Sequence, residues 1–220
     1  MTSSVPVLSF GLVDARPVFM DLGDDSYFML EPEEEAEFLE LIRSEGQWLP
    51  ATDHLDQALG ASLIQPIERG ACTRPQRSLL EESSSLANAQ LADIGRAAVL
   101  LRSVKRSIAR QPIDHILGAL VPAGDRLPDD RADGQLARAA RFIAARRFVP
   151  VKPNCLLDSI ALLRWLEPEA AGASLVFGVK LEPFAAHCWV QNDTMVLNDL
   201  TDHVARFEPV RVIRCSAPTR

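Results

Sequence analysis

The stretch Asn154-Cys155-Leu156-Leu157-Asp158-Ser159-Ile160-Ala161-Leu162-Leu163-Arg164-Trp165-Leu166 decides how the rest of the chain is read. Leu156, Ile160, Leu163 and Leu166 recur at helical spacing, which predicts a core helix. Pro150 and Pro153 bar an earlier start, and Asn154 is a suitable N-cap, so Cys155 falls in the first turn. A thiol there meets the positive end of the helix dipole and free backbone N–H groups. Both favour thiolate, the form that attacks a carbonyl carbon. A lone cysteine on an apolar helix is more often a core residue than a nucleophile. The reading therefore turns on whether the chain also supplies a base and an orienting acid.

It supplies both, downstream. His187 stands in Phe184-Ala185-Ala186-His187-Cys188-Trp189-Val190, and Asp199 ends Met195-Val196-Leu197-Asn198-Asp199. Cysteine on a helix, histidine on one strand and aspartate after the next is the chain order of papain-like and transglutaminase-like thiol enzymes. Asp193 and Asp202 are the neighbouring alternatives to Asp199. Asp158, one turn beyond Cys155, reads as a supporting or helix-surface group. Cys188, on the opposite strand face from His187, reads as core. A metal set drawn from Cys155, His187, Cys188, His203 and Cys215 lacks the usual ligand spacing. The Cys155 amide is one oxyanion donor; no Gln just upstream provides a second.

These motifs carry a family resemblance. Residues 150–200 resemble the transglutaminase-like C-terminal domain of lasso-peptide B proteins, the leader peptidases of microcin-type lasso biosynthesis. The matching pieces are Cys155-Leu156-Leu157-Asp158-Ser159, His187-Cys188-Trp189-Val190 and Leu197-Asn198-Asp199. The resemblance implies a cysteine peptidase with Cys155, His187 and Asp199 as its triad, cutting a ribosomal precursor between leader and core. It also implies an asparagine-synthetase-like cyclase as partner, and proteolysis that needs ATP and that partner. The chain has no P-loop-type glycine-rich motif, so no cofactor is expected on it and ATP is expected on the cyclase.

The N-terminal part reads as a separate unit. Val7 to Val13, Pro17 to Leu22 and Ser26 to Leu30 are three short strands, the last two joined by the turn residues Gly23-Asp24-Asp25. Glu31 to Ile42 opens with acidic residues and continues as a helix, and Leu55 to Ile67 is a second helical stretch. Three strands and helices make a small winged-helix-like module. It resembles the element that binds leader peptides in ribosomal-peptide biosynthesis, where the leader adds as a strand to the third strand. That resemblance puts Tyr27, Phe28 and Met29 at the peptide; as plain sequence they are ordinary core and hairpin residues. Residues 68–90, with Gly70, Pro75 and Glu82-Ser83-Ser84-Ser85, read as a partly flexible linker. The expected division is a recognition module over 1–85 and a transglutaminase-like cysteine peptidase domain over 86–220. The second unit reads as helix over 86–118, loop over 118–134, a basic helix from Gln135 to Arg147, the Cys155 helix, strands over 173–180, 187–191 and 194–198, and a last strand over 209–213. Helices on an antiparallel sheet give an α+β fold.

Composition narrows the classes. The 220 residues are 47% hydrophobic and 24% charged, as in ordinary globular proteins. No apolar run reaches membrane length and no secretory signal pattern opens the chain, so the cytoplasm is expected. Four separated cysteines predict no disulfide there. Residues 1–85 hold 16 acidic and 5 basic residues against 14 and 18 over 86–220. An acidic first unit speaks against nucleic acid as its ligand. Three functions compete: a leader peptidase, a transglutaminase-type acyl transferase using the same residues, and a non-catalytic peptide-delivery protein.

Overall fold

The computed structural model describes residues 8–43, 59, 68–82, 89–120, 132–167, 170 and 172–215. The fold is α+β: an N-terminal sheet with helices, then a helix-and-strand core. In the N-terminal part, β1 (Leu8–Val13) and β2 (Arg16–Asp21) form a hairpin, and β3 (Ser26–Met29) pairs with β2. The two-residue turn Asp14-Ala15 takes φ of 50° and 65°, the left-handed geometry that tight hairpins demand. Helix α1 (Pro32–Arg43) carries Glu33, Glu34 and Glu35 in its first turn and buries Phe38. A short β4 (Glu68–Arg69) adds in parallel to β1, so the strand order is β3-β2-β1-β4 with β3 at an edge. Apart from Leu59, which is buried, the stretch Leu55 to Ile67 lies outside the described residues.

Period-two alternation divides this sheet between two cores. Phe10, Phe19 and Phe38 pack together with Leu8, Leu30 and Leu59 on one face. Val13, Val18, Met20 and Leu22 point the other way and join the main cluster, with Leu101, Phe142, Ile160, Leu163 and Trp165. The two parts of the chain thus share one apolar core.

The segment expected as a linker is, over its described residues, docked. Thr73 takes a hydrogen bond from Gln191 Nε2 (2.7 Å), and the Arg77 carbonyl takes one from the Val196 amide (2.9 Å). Helix α2 (Leu79–Glu82) follows, with Leu79 buried. Residues 83–88 lie outside the described part. The helical stretch after it divides at Pro112 into α3 (Leu91–Ile108) and α4 (Ile113–Gly118), as a missing N–H and fixed φ require. Most of the expected 118–134 loop is undescribed; α5 (Ala132–Arg146) follows. Then come α6 (Cys155–Leu166) and a sheet of β5 (Ser174–Lys180), β6 (Ala185–Gln191) and β7 (Glu208–Arg214), ordered β6-β5-β7. Between β6 and β7 lies α7 (Thr201–Val204).

The strand expected over 194–198 reduces to single bridges, Gln191 with Val196 and Ser78 with Val196. The reason is local. The backbone bonds from the Leu197 amide to the Val190 carbonyl (2.8 Å) and from the Asn192 amide to the Met195 carbonyl (2.9 Å) remain. Asn192 Oδ1, however, collects the amides of Thr194 and Met195, and Asn198 Oδ1 takes the Val190 amide, so side chains take some of the ladder's donors.

β1 crosses β7 backbone to backbone. A β-carbon on Gly11 would lie 2.2 Å from the Pro209 carbonyl oxygen, and one on Gly70 2.1 Å from the Val210 carbonyl carbon. Only glycine admits approaches this close.

Candidate active site

The site is built at the head of α6. Asn154 caps the helix: its Oδ1 accepts from the Leu157 amide at 2.9 Å, and its own amide donates to Asp158 Oδ2 at 3.2 Å. Asp158 is in turn paired with Arg146 on α5 (2.6 Å), which also donates to the carbonyls of Val149 and Val151. This knot fixes the entry of the chain into the helix. Cys155 follows the cap, half-buried, with the first-turn amides free of the helical ladder.

Helix α6 packs against β6, which carries His187 and Cys188 on opposite faces. His187 Nε2 meets Asp199 Oδ2 at 2.5 Å. Nδ1 is the ring nitrogen left over, and Cys155 lies near enough that both Cys188 and His187 act on its thiol. His187 is walled by rings: Trp189 at 6.0 Å, Phe207 at 5.2 Å and His203 at 4.7 Å between centroids. Gly178 stands opposite His187 in the β5–β6 register, where a β-carbon would lie 2.9 Å from the Trp189 ring. The bare position makes room for that wall.

The charges follow from these contacts. The Cys188 side chain first, then His187, hold the Cys155 thiol down at about 4 against the effect of burial. Burial presses the His187 imidazole down, yet the bonds and charges of Asp199 and Cys155 prevail and raise it to about 9. Cys188 is pushed well up, by Cys155 first and then by its own burial, and so remains a thiol that can donate. Burial raises the Asp199 carboxyl, but His187, the Leu200 amide and His203 together keep it below the usual range. At neutral pH the pair is thiolate and imidazolium.

Two further groups hold Asp199. Ser78, fully buried, donates its hydroxyl to the Asp199 carbonyl at 2.5 Å. His203 Nδ1 lies 3.0 and 3.1 Å from the two carboxylate oxygens. Glu81 on α2 accepts from the Thr201 amide (3.0 Å) and hydroxyl (2.8 Å), pinning the next turn. His187, Asp199 and His203 also present ligand atoms within 4.8 Å of one another, a grouping that could hold a metal ion, although here each of these atoms faces a hydrogen-bond partner.

The structure thus pairs His187 with Asp199 and sets Cys155 near His187. Asp193 and Asp202 are not bonded to His187. Cys188 is core, as expected, and also acts on the Cys155 thiol. Sequence reading missed Ser78, Glu81 and His203 as supports; their contacts with the Asp199 loop carry no motif. The only local hint is His203 four residues after Asp199, a spacing that brings side chains together within a helical turn.

Of the three residues expected at the peptide, Tyr27 and Met29 pack toward the main core and Phe28 toward the other. Phe28 stacks on Phe19 at 5.1 Å. Tyr27 meets Phe184, just before the His187 strand, at 6.1 Å. Burial first, then Cys188, Asp25 and Cys155, push the Tyr27 phenol up, so it stays a neutral donor.

This fold, with a thiol at a helix head and histidine on the adjoining strand, is that of a transglutaminase-like core. The family model described as the transglutaminase-like superfamily matches residues 97–212, just over half of the chain, and the chain belongs to that superfamily. A curated relative, the Microcin J25-processing protein McjB of Escherichia coli, is 44% identical over 48 residues, which are 22% of this chain and 23% of the relative. The chain therefore spans about a quarter of the length of the relative it matches. No solved structure matches the chain. Among the described residues, no helix is long and apolar enough to cross a membrane.

Proposed function

We propose that this protein is a cysteine peptidase that removes the leader from a ribosomal precursor peptide during lasso-peptide biosynthesis. The observation that carries the reading is the half-buried Cys155 beside a histidine bonded to Asp199. In this reading the Cys155 thiolate attacks the scissile carbonyl carbon, and first-turn amides stabilise the oxyanion. The His187 imidazolium donates its proton to the leaving amine as the C–N bond breaks. Water, deprotonated by neutral His187, then attacks the thioester, releases the carboxylic product and restores the thiolate–imidazolium pair. Asp199 holds the imidazole in place. A relative whose name records the processing of a microcin supports the substrate class.

The N-terminal unit, residues 1–85, is proposed to hold the leader on the free edge of β3, where Tyr27, Phe28 and Met29 lie, and to deliver it to residues 86–220. ATP is assigned to a partner cyclase of the asparagine-synthetase type.

Precursor, partner cyclase and ATP incubated with wild-type and Cys155→Ala protein, read by mass spectrometry, test this reading. Leader removal by wild type only is expected; full processing by Cys155→Ala would refute it. Membership of a transglutaminase-like superfamily keeps acyl transfer as the second reading. Product mass separates the two: hydrolysis adds a water, while transfer joins an amine and releases ammonia or the leaving peptide.

A further inference from the structure

Beside the Cys155 helix head the surface opens into a cavity of about 440 Å³. Its apolar walls come from Leu80, Phe142, Ile143 and Val149. Its lining also includes Pro153, two residues before Cys155, and Asn198, next to Asp199. The size falls within the roughly 300–1,000 Å³ of small-ligand pockets.

The charge at its rim is uneven. Arg146 is engaged by Asp158 and by two carbonyls, so its charge is cancelled within the cavity wall. The other arginines of the basic α5 run are engaged too: Arg138 donates to the carbonyls of Trp165 and Glu167, and Arg141 pairs with Asp93. Arg147 lines the cavity, is exposed, and makes no ion pair among the described residues. An apolar hollow lined also by one cation without an ion pair among the described residues, and by Pro153 two positions before Cys155, suits a particular peptide chemistry.

We propose that this cavity is a substrate subsite that takes an apolar side chain and sets an adjacent acidic residue against Arg147. The proposal rests on the reading above, in which a peptide carbonyl is attacked at Cys155. It deepens that reading by naming what flanks the scissile bond.

The test uses the full chain and four acetylated, amidated hexapeptides: Leu-Glu, Leu-Gln, Leu-Lys and Ser-Glu, each set in flanking glycines. Binding is followed by saturation-transfer NMR, and Cys155 protection by the rate of iodoacetamide alkylation. Leu-Glu should bind about three- to five-fold more tightly than Leu-Lys, the size expected for one exposed charge pair. Leu-Gln should fall between them, and Ser-Glu should bind more weakly than Leu-Glu. Arg147→Glu should reverse the Glu–Lys preference. Equal binding of all four peptides, or a preference unchanged in Arg147→Glu, would overturn the subsite. A Cys155 that alkylates no faster than free cysteine at pH 6 would instead count against the nucleophile, while the binding series would still decide the subsite.

Discussion

At the scale of single residues, the pairing of Cys155 with His187 makes a definite pH claim. The thiol is held at about 4 and the imidazole at about 9. Thiolate and imidazolium therefore coexist between those values. Alkylation of Cys155 should rise through about pH 4, tenfold per unit below it, and hold a plateau to about pH 9. Peptide cleavage should fall again above pH 9, when His187 loses the proton that the leaving amine needs. An alkylation profile with one step near the ordinary thiol value would refute the ion pair. His187→Ala should slow cleavage by about 10²–10⁴-fold. Asp199→Ala should retain more activity, because His203 and the ring wall still restrain the imidazole. Both are read as kcat/KM. The sequence made this much legible because helix cap, thiol, base and acid each lie in short motifs with fixed periodicity. It hid Ser78, whose partner is 121 residues away, since nothing in a serine's neighbours announces so distant a contact.

At the scale of elements, two turns invite measurement. Ala15 occupies φ 65° in the β1–β2 hairpin, where a β-carbon is strained. Ala15→Gly should therefore stabilise the protein, by up to about 1–2 kcal/mol less the entropy gained by the unfolded chain. A lower melting temperature would contradict the left-handed turn. The other turn carries Asp199. Ser78→Ala deletes a buried hydroxyl bond to its carbonyl and should lower stability by about 1–2 kcal/mol. If that bond also aims the carboxylate, cleavage should drop about tenfold or more with Cys155 alkylation at neutral pH little changed. An unaltered rate in a destabilised protein would make Ser78 purely structural. The expected strand over 194–198 shortened for a related reason: asparagine side chains take the Val190, Thr194 and Met195 amides there, and a β-rich run of letters does not reveal that substitution.

At the scale of the whole molecule, composition divides the chain into an acidic unit and a more basic one joined by a partly flexible linker. The described contacts are of another kind. Val13, Val18, Met20 and Leu22 sit in the same apolar cluster as the Cys155 helix, and residues 73–81 are bonded to the Asp199 region. Residues 86–220 produced alone should lack that cover and fail to fold cooperatively. Chains 1–84 and 85–220 produced together should form a one-to-one complex that survives 1 M salt, since apolar burial is not screened as exposed charge is. Size-exclusion chromatography with circular dichroism reads both outcomes. A complex that separates as salt rises would show instead that charge holds the two pieces together.

Under the proposed function, the backbone crossing at Gly11 and Gly70 bears on how the protein could be turned toward new precursors. Re-aiming it invites grafting the first eighty residues of one homologue onto the remaining residues of another. The graft would have to reproduce two bare positions facing Pro209 and Val210, along with the four apolar side chains beside them. A donor with alanine at either position would lever the sheets apart by the width of a methyl group. The safer course for a directed-evolution library is to keep Gly11 and Gly70 invariant and diversify the outer edge of β3 instead.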